Sequence, residues 1–207
     1  MVSAENFVLR STVTSPFGRK ARMAIDALGL TERITLKPAD PLDENDTLRQ
    51  QNPLGKMPCL VLADGGTIYD SSIIIEFLQE VAGTDRLLPL RGPARFKALT
   101  LARLADGIMD ASILIVYENR FRPDSPPSAR WLDHQRGKIM RGLAAFAAAP
   151  PDPEKTDVVT IGLSCALGYL DWRKQVDWRA AFPALVTWLD RFSAHEPAFE
   201  RTRAKDA

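Results

Sequence analysis

Cysteine and histidine are scarce in this chain: of its 207 residues two are Cys and two are His. Cys59 and Cys165 lie far apart, each inside an apolar stretch, which is the pattern of reduced core thiols and not of a disulfide framework. His134 and His195 fall in separate helical segments with no Cys or carboxylate ligand spacing around them, so no metal site is expected. An excess of either charge is also missing. Lys plus Arg number 27 and Asp plus Glu 26, and the net charge of +1 leaves no electrostatic footprint for nucleic acid or an anionic membrane. No apolar run reaches the ~18–20 residues needed to span a bilayer, and the start lacks the apolar stretch of a signal peptide, so a cytoplasmic home is expected.

What is present is ordinary globular composition, 45% hydrophobic and 26% charged, on a chain long enough for two modest domains. The first eighty residues alternate strand and helix signals. Phe7–Arg10 reads as a strand. Pro16 opens a helix running to Leu28 and closed by Gly29, and Arg33–Lys37 is a second strand. After the polar stretch Pro41–Gln51, Cys59–Ala63 and Thr67–Tyr69 flank Asp64-Gly65-Gly66, a strong signal for an antiparallel hairpin. From Asp70 the spacing of Ile73, Ile74, Phe77, Leu78 and Val81 is helical. The order is βαβαββα, an α/β domain over residues 1–82.

Residues 83–93, rich in Pro and Gly, read as a linker. Residues 94–207 form an all-α helical bundle domain. Ala94–Arg120 and Ala129–Ala148 are long and amphipathic, with breakers at Arg122–Pro127 and Pro150–Pro153. Val158–Leu170 is apolar on nearly every face and predicts a helix buried at the bundle centre, capped by Asp157. Shorter helices follow at Phe182–Phe192 and after Pro197.

Three clusters in the first domain carry candidate chemistry. In the first, Thr14 and Ser15 precede Pro16 at the start of helix one, where a hydroxyl and the helix dipole together favour a thiolate and lower a thiol pKa from its ordinary ~8.5. Taken alone, the cluster is explained by Ser15 as the helix cap before Pro16, with Thr14 decorating the turn. The second is Asn52-Pro-Leu-Gly-Lys-Met57-Pro58. A proline at the mouth of a strand suits a deliberate cis turn that leaves the Met57 backbone open to an extended peptide, or simply ends a loop. The third is Tyr69-Asp70-Ser71-Ser72, where amides and the Ser71 hydroxyl at a helix start suit a carboxylate and Asp70 suits an ammonium, the two charges of a γ-glutamyl end. Capping alone would also explain these residues.

Taken with their order and spacing, Thr14-Ser-Pro-Phe-Gly-Arg-Lys-Ala-Arg22, Asn52-Pro-Leu-Gly-Lys-Met-Pro58, Asp70-Ser71 with Ile74 and Phe77-Leu78, and Ser164-Cys-Ala-Leu-Gly-Tyr-Leu-Asp171 resemble the bacterial cytosolic glutathione transferases along essentially the whole chain. The resemblance implies a thioredoxin-like first domain and a detoxifying homodimer that uses glutathione as co-substrate without a metal. It also implies Met57 on the cysteinyl backbone ahead of a cis Pro58, and Asp70 with Ser71 on the γ-glutamyl end. Lys56 would be available to the glycyl carboxylate, and Ser15 or Thr14 to the thiol.

The family places Tyr, Ser or Cys at the thiol, and no tyrosine lies near the first strand here. Ser15 stands where Cys-Pro-Phe classes have cysteine, whereas Thr14 lies two before the proline, where serine-type classes put their hydroxyl; Ser15 is favoured. A serine there can donate a hydrogen bond but cannot form a mixed disulfide, so conjugation or peroxidase chemistry is favoured over dehydroascorbate-type reduction. The capping box of the buried helix usually runs Ser or Thr to Asp, and here it is inverted as Asp157-Val-Val-Thr160. A second-substrate pocket is expected from the Phe17 turn and the helix carrying Met109, Ile113, Val116 and Tyr117, although stripes of this kind usually pack.

The reading is a glutathione transferase acting on a small, largely apolar electrophile. The alternatives are a binding or chaperone subunit without turnover, or a glutathione-dependent isomerase or dehalogenase.

Overall fold

The computed structural model describes residues 6–204. Within them the chain divides into two compact units: one runs to Gly92 and takes back the chain from Ala198, the other is Pro93–Pro197.

The first unit contains β1 (Phe7–Ser11), α1 (Pro16–Ala27), a 3-10 turn (Thr31–Arg33), β2 (Ile34–Pro38), α2 (Leu48–Gln51), β3 (Cys59–Val61), β4 (Thr67–Tyr69) and α3 (Ser71–Val81). The strands form a mixed sheet in the order β2-β1-β3-β4, with β1 and β2 parallel and both other pairings antiparallel. Alternation along β1 decides what covers each face. Phe7 and Leu9 point to one side with Leu60, against Ala21 and Ile25 of α1 and Ile74 and Leu78 of α3. Arg10 and its register partner Cys59 point to the other side, where Ala39 and Leu48 pack on the thiol. The hairpin predicted between Cys59 and Tyr69 forms, but β3 stops at Val61 because Leu62 N–H turns to the Gly66 carbonyl at 2.8 Å. The polar stretch before it supplies only the single helical turn α2.

The described tail ends in α9 (Ala198–Arg201), which groups with the first unit although the sequence reading keeps it in the helical domain. The cause is Arg19 of α1. Its buried guanidinium lies 4.2 Å from the Phe199 ring centroid and donates to the Phe199 carbonyl at 2.5 Å, while Arg201 pairs with Asp26 at 2.6 Å.

The second unit is α4 (Pro93–Phe121), α5 (Ala129–Ala148), α6 (Val158–Arg173), α7 (Trp178–Ala181) and α8 (Pro183–His195). As the apolar run predicts, α6 is enclosed: every residue from Val158 to Leu167 is buried. Gly162 allows the close approach of α4, since a Cβ there would lie 3.1 Å from that of Ala105. The inverted capping box closes reciprocally. Asp157 accepts from Val159 N–H and Thr160 N–H at 2.9 and 3.1 Å, and the Thr160 hydroxyl accepts from Asp157 N–H at 3.0 Å. The turn α7 was not predicted. It is anchored by buried Trp178, whose indole N–H donates to Asp171 at 2.9 Å.

Arg10 is the dominant polar group of the first unit. Only 2% exposed, it donates through Nε and Nη2 to the Pro38 carbonyl, through Nη1 to Thr47 Oγ1 and Gln51 Oε1, and through Nη2 to Asp46 at 2.6 Å. Asp46 also accepts from the Asp40 and Leu48 amides. The Asp40 amide, the Leu48 amide and Arg10 hold the Asp46 carboxyl below its ordinary range, against the opposing effect of burial. A carboxylate whose folded pKa is depressed stabilises the fold above its unfolded pKa, and loses that contribution as pH falls through the folded value. Asp46→Ala, which strands a buried guanidinium, is therefore expected to cost about 2–3 kcal/mol in urea unfolding at pH 7. The gap to the parent should narrow as the pH is taken down through the acid range; a gap that stays constant with pH would contradict the assignment.

Candidate functional site

Strand register brings the three sequence clusters to one end of the sheet. Arg10, Cys59 and Tyr69 are consecutive partners across β1, β3 and β4. The chain beyond β1 (through Ser15), the chain ahead of β3 (Met57-Pro58) and the chain beyond β4 (Asp70-Ser71) therefore all emerge at the same edge. Helices α1 and α3 start there. Lys20, 2% exposed in α1, donates to the Ser72 hydroxyl at 3.0 Å and so ties α1 to the first turn of α3.

At the α1 start, Pro16 occupies the first helical position and Ser15 is the N-cap, its oxygen accepting from Gly18 N–H at 3.0 Å. The proton of that hydroxyl has no acceptor among the described residues, so the cap can still donate. Thr14 is exposed, and its hydroxyl is engaged with Thr12 at 3.0 Å. Gly18 permits the helix to sit directly on the end of β1, because a Cβ there would lie 1.9 Å from Ser11 Oγ.

The Met57–Pro58 peptide is cis. Asn52, 2% exposed, shapes the loop before it, donating from Nδ2 to the Lys56 carbonyl at 2.8 Å and accepting from Leu54 N–H at 3.1 Å. Gly55 takes a left-handed φ of 58° within that turn. Among the described residues the Met57 amide and carbonyl have no hydrogen-bond partner, the β3 ladder beginning only at Cys59. Lys56 is exposed. Cys59, fully buried, is not placed to react: burial pushes its thiol pKa up, partly opposed by Arg10.

Asp70 caps α3 in a conformation rare for a residue with a Cβ, φ 70° and ψ 124°, and accepts from Ser72 N–H at 2.8 Å. Backbone geometry of this kind persists where surrounding structure imposes it and concentrates at ligand sites. Ser71 is 4% exposed, yet its hydroxyl has no partner among the described residues. A carboxylate beside an open serine and free helix-start amides is an arrangement for a zwitterion.

The residues expected around a second substrate are divided between the units. Phe17 is half-buried in the first. In the second, Met109 is fully buried core, Ile113 and Val116 are half-buried and Tyr117 is 39% exposed. Sequence reasoning did not single out Arg10, Lys20 or Asn52 as organisers of the site. For Lys20 a signal existed, a basic residue inside the helix face that must meet α3. Among the described residues no group of three or more His, Cys, Asp or Glu is placed to hold a metal ion, and no helix is long and apolar enough to cross a membrane.

Comparison with known proteins agrees with this geometry. Residues 14–81 match the model of the glutathione S-transferase N-terminal domain. The chain is 34% identical over 204 residues to the uncharacterized GST-like protein YibF of Escherichia coli K12, covering 96% of this chain and 99% of that one. A glutathione transferase family member from Pseudomonas fluorescens Pf-5, solved with bound glutathione, is 37% identical with a TM-score of 0.90, covering 97% of this chain and all of the other. A glutathione S-transferase from Methylobacterium radiotolerans, solved with glutathione sulfonate, is 34% identical with a TM-score of 0.85, covering 98% of this chain and 97% of that one. On this full-length likeness, the chain belongs to the glutathione S-transferase family.

Proposed function

We propose that the protein is a glutathione transferase that activates the thiol of glutathione with the Ser15 hydroxyl. The observation carrying this reading is the Ser15 cap itself: it satisfies the helix through its oxygen and keeps its proton for a ligand, at a helix start whose dipole favours negative charge. The Thr14 hydroxyl shares a hydrogen bond with Thr12 in which either oxygen can be the donor, and Thr14 is not the helix cap. The open Met57 amide and carbonyl would pair with the cysteinyl backbone as an added strand. Ser71 and the α3 amides would hold the γ-glutamyl carboxylate, Asp70 its ammonium, and Lys56 the glycyl carboxylate. Glutathione bound in the 37% identical Pseudomonas fluorescens relative, and glutathione sulfonate bound in the 34% identical Methylobacterium radiotolerans one, support glutathione as the ligand here.

Conjugation or peroxidase chemistry is favoured over dehydroascorbate-type reduction, since a serine cannot enter a mixed disulfide and Cys59 is buried. Calorimetry tests the ligand assignment. Asp70→Ala and Ser71→Ala should each weaken glutathione binding by the ~1.5–3 kcal/mol typical of charge-assisted hydrogen bonds. Unchanged dissociation constants in both variants would remove it.

We also propose a homodimer, the commonest closed assembly for a chain of this size. Sedimentation at micromolar concentration should give twice the 22.9 kDa chain mass; a single species at the chain mass would contradict it.

A further inference from the structure

The ends of α4 and α6 carry a cluster of aromatics and arginines that packing of the helical unit does not consume. Tyr117 and Phe121 meet edge to face with centroids 5.1 Å apart and remain 39% and 57% exposed. Arg120 lies over the Tyr117 ring at 5.6 Å. On α6, Arg173 lies 3.8 Å from the Trp172 ring centroid and 5.5 Å from that of Tyr169, and its Nε donates to the Tyr169 hydroxyl at 3.3 Å. The two sets lie on paired helices, since Gly162 of α6 meets Ala105 of α4 and, just past Arg173, the Gln175 side chain donates to the Ser112 carbonyl at 3.0 Å, while Arg173 engages the Tyr169 phenol. Burial pushes that phenol's pKa up, so it remains a neutral donor at physiological pH.

Neither arginine has a carboxylate within ion-pair distance among the described residues. Their neighbours do: Arg122 pairs with Glu118 at 3.5 Å and Arg179 with Asp171 at 2.7 Å. A basic residue in a last turn complements the helix dipole, which would account for either arginine singly. It does not account for two guanidiniums from different helices gathered on one aromatic cluster while the nearby acids are paired elsewhere. Stacking on a ring also fixes a guanidinium's plane and leaves its in-plane N–H groups pointing outward, ready for a carboxylate.

We propose that this cluster binds a small aromatic carboxylate, with Arg120 and Arg173 on the carboxylate and the Tyr117 and Trp172 side chains beside the ring.

The test is binding to the full chain without glutathione, so that failure of the transferase reading leaves the measurement untouched. The probes are 4-chloro-3-nitrobenzoate and its uncharged isostere 4-chloro-3-nitrobenzamide, titrated by tryptophan fluorescence at low salt. The acid should bind about tenfold or more tighter than the amide, and Arg120→Met and Arg173→Met should each remove most of that advantage while leaving amide binding unchanged. Arg130→Met, outside the cluster, should leave both unchanged. Equal affinity for acid and amide on the unmodified chain overturns the proposal whether or not the variants fold, and so does undiminished acid binding in both folded variants.

Discussion

A buried guanidinium, that of Arg10, links the sheet to the loop from which the candidate site is built. It sits in β1 with its register partner Cys59 beside it, and its donors are spent on Pro38, Asp46, Thr47 and Gln51, the segment that leaves β2 and forms α2. That segment feeds directly into Asn52 and the Met57-Pro58 turn. Short polar segments of this kind have little apolar surface with which to order themselves, so a fully satisfied charge beneath them does what a hydrophobic core does elsewhere. It complements the Asn52 hydrogen bonds and the β3 ladder starting at Cys59, which hold the Met57 turn from its own two ends.

The electrostatics of that sheet end are consistent across levels. Two helix N-termini point into one region, and the Lys20 ammonium is held between them through Ser72. All three favour anions. Glutathione presents two carboxylates and, when activated, a thiolate, with a single ammonium to be matched; Asp70 is the exposed acid at that edge. In the proposed binding mode, Asp70 is the partner of that ammonium.

Periodicity made most of this legible in advance. The short strand at Phe7–Arg10, the Asp64-Gly65-Gly66 turn and the largely apolar run of α6 each have one physical solution, and the structure adopts it. The site clusters were readable as helix starts and a proline turn, because capping chemistry is local. What was not readable depends on distant partners. Arg10 in a strand looks like a solvent-facing residue until the chain around Asp46 folds over it. The return of α9 to α1 depends on a cation stacked on an aromatic 180 residues away. The open proton of Ser15 is likewise a property of its surroundings and not of its sequence.

The most direct measurement is the pH dependence of glutathione conjugation to an aryl halide by Ser15→Ala and Thr14→Ala. Loss of the Ser15 donor should move the rising limb of the profile up by about one to two pH units, with glutathione affinity nearly intact, because the bond acts on the charged form of the thiol. Thr14→Ala should follow the parent. A profile that moves with Thr14→Ala and stays in place with Ser15→Ala would contradict the assignment and leave Ser15 as a helix cap.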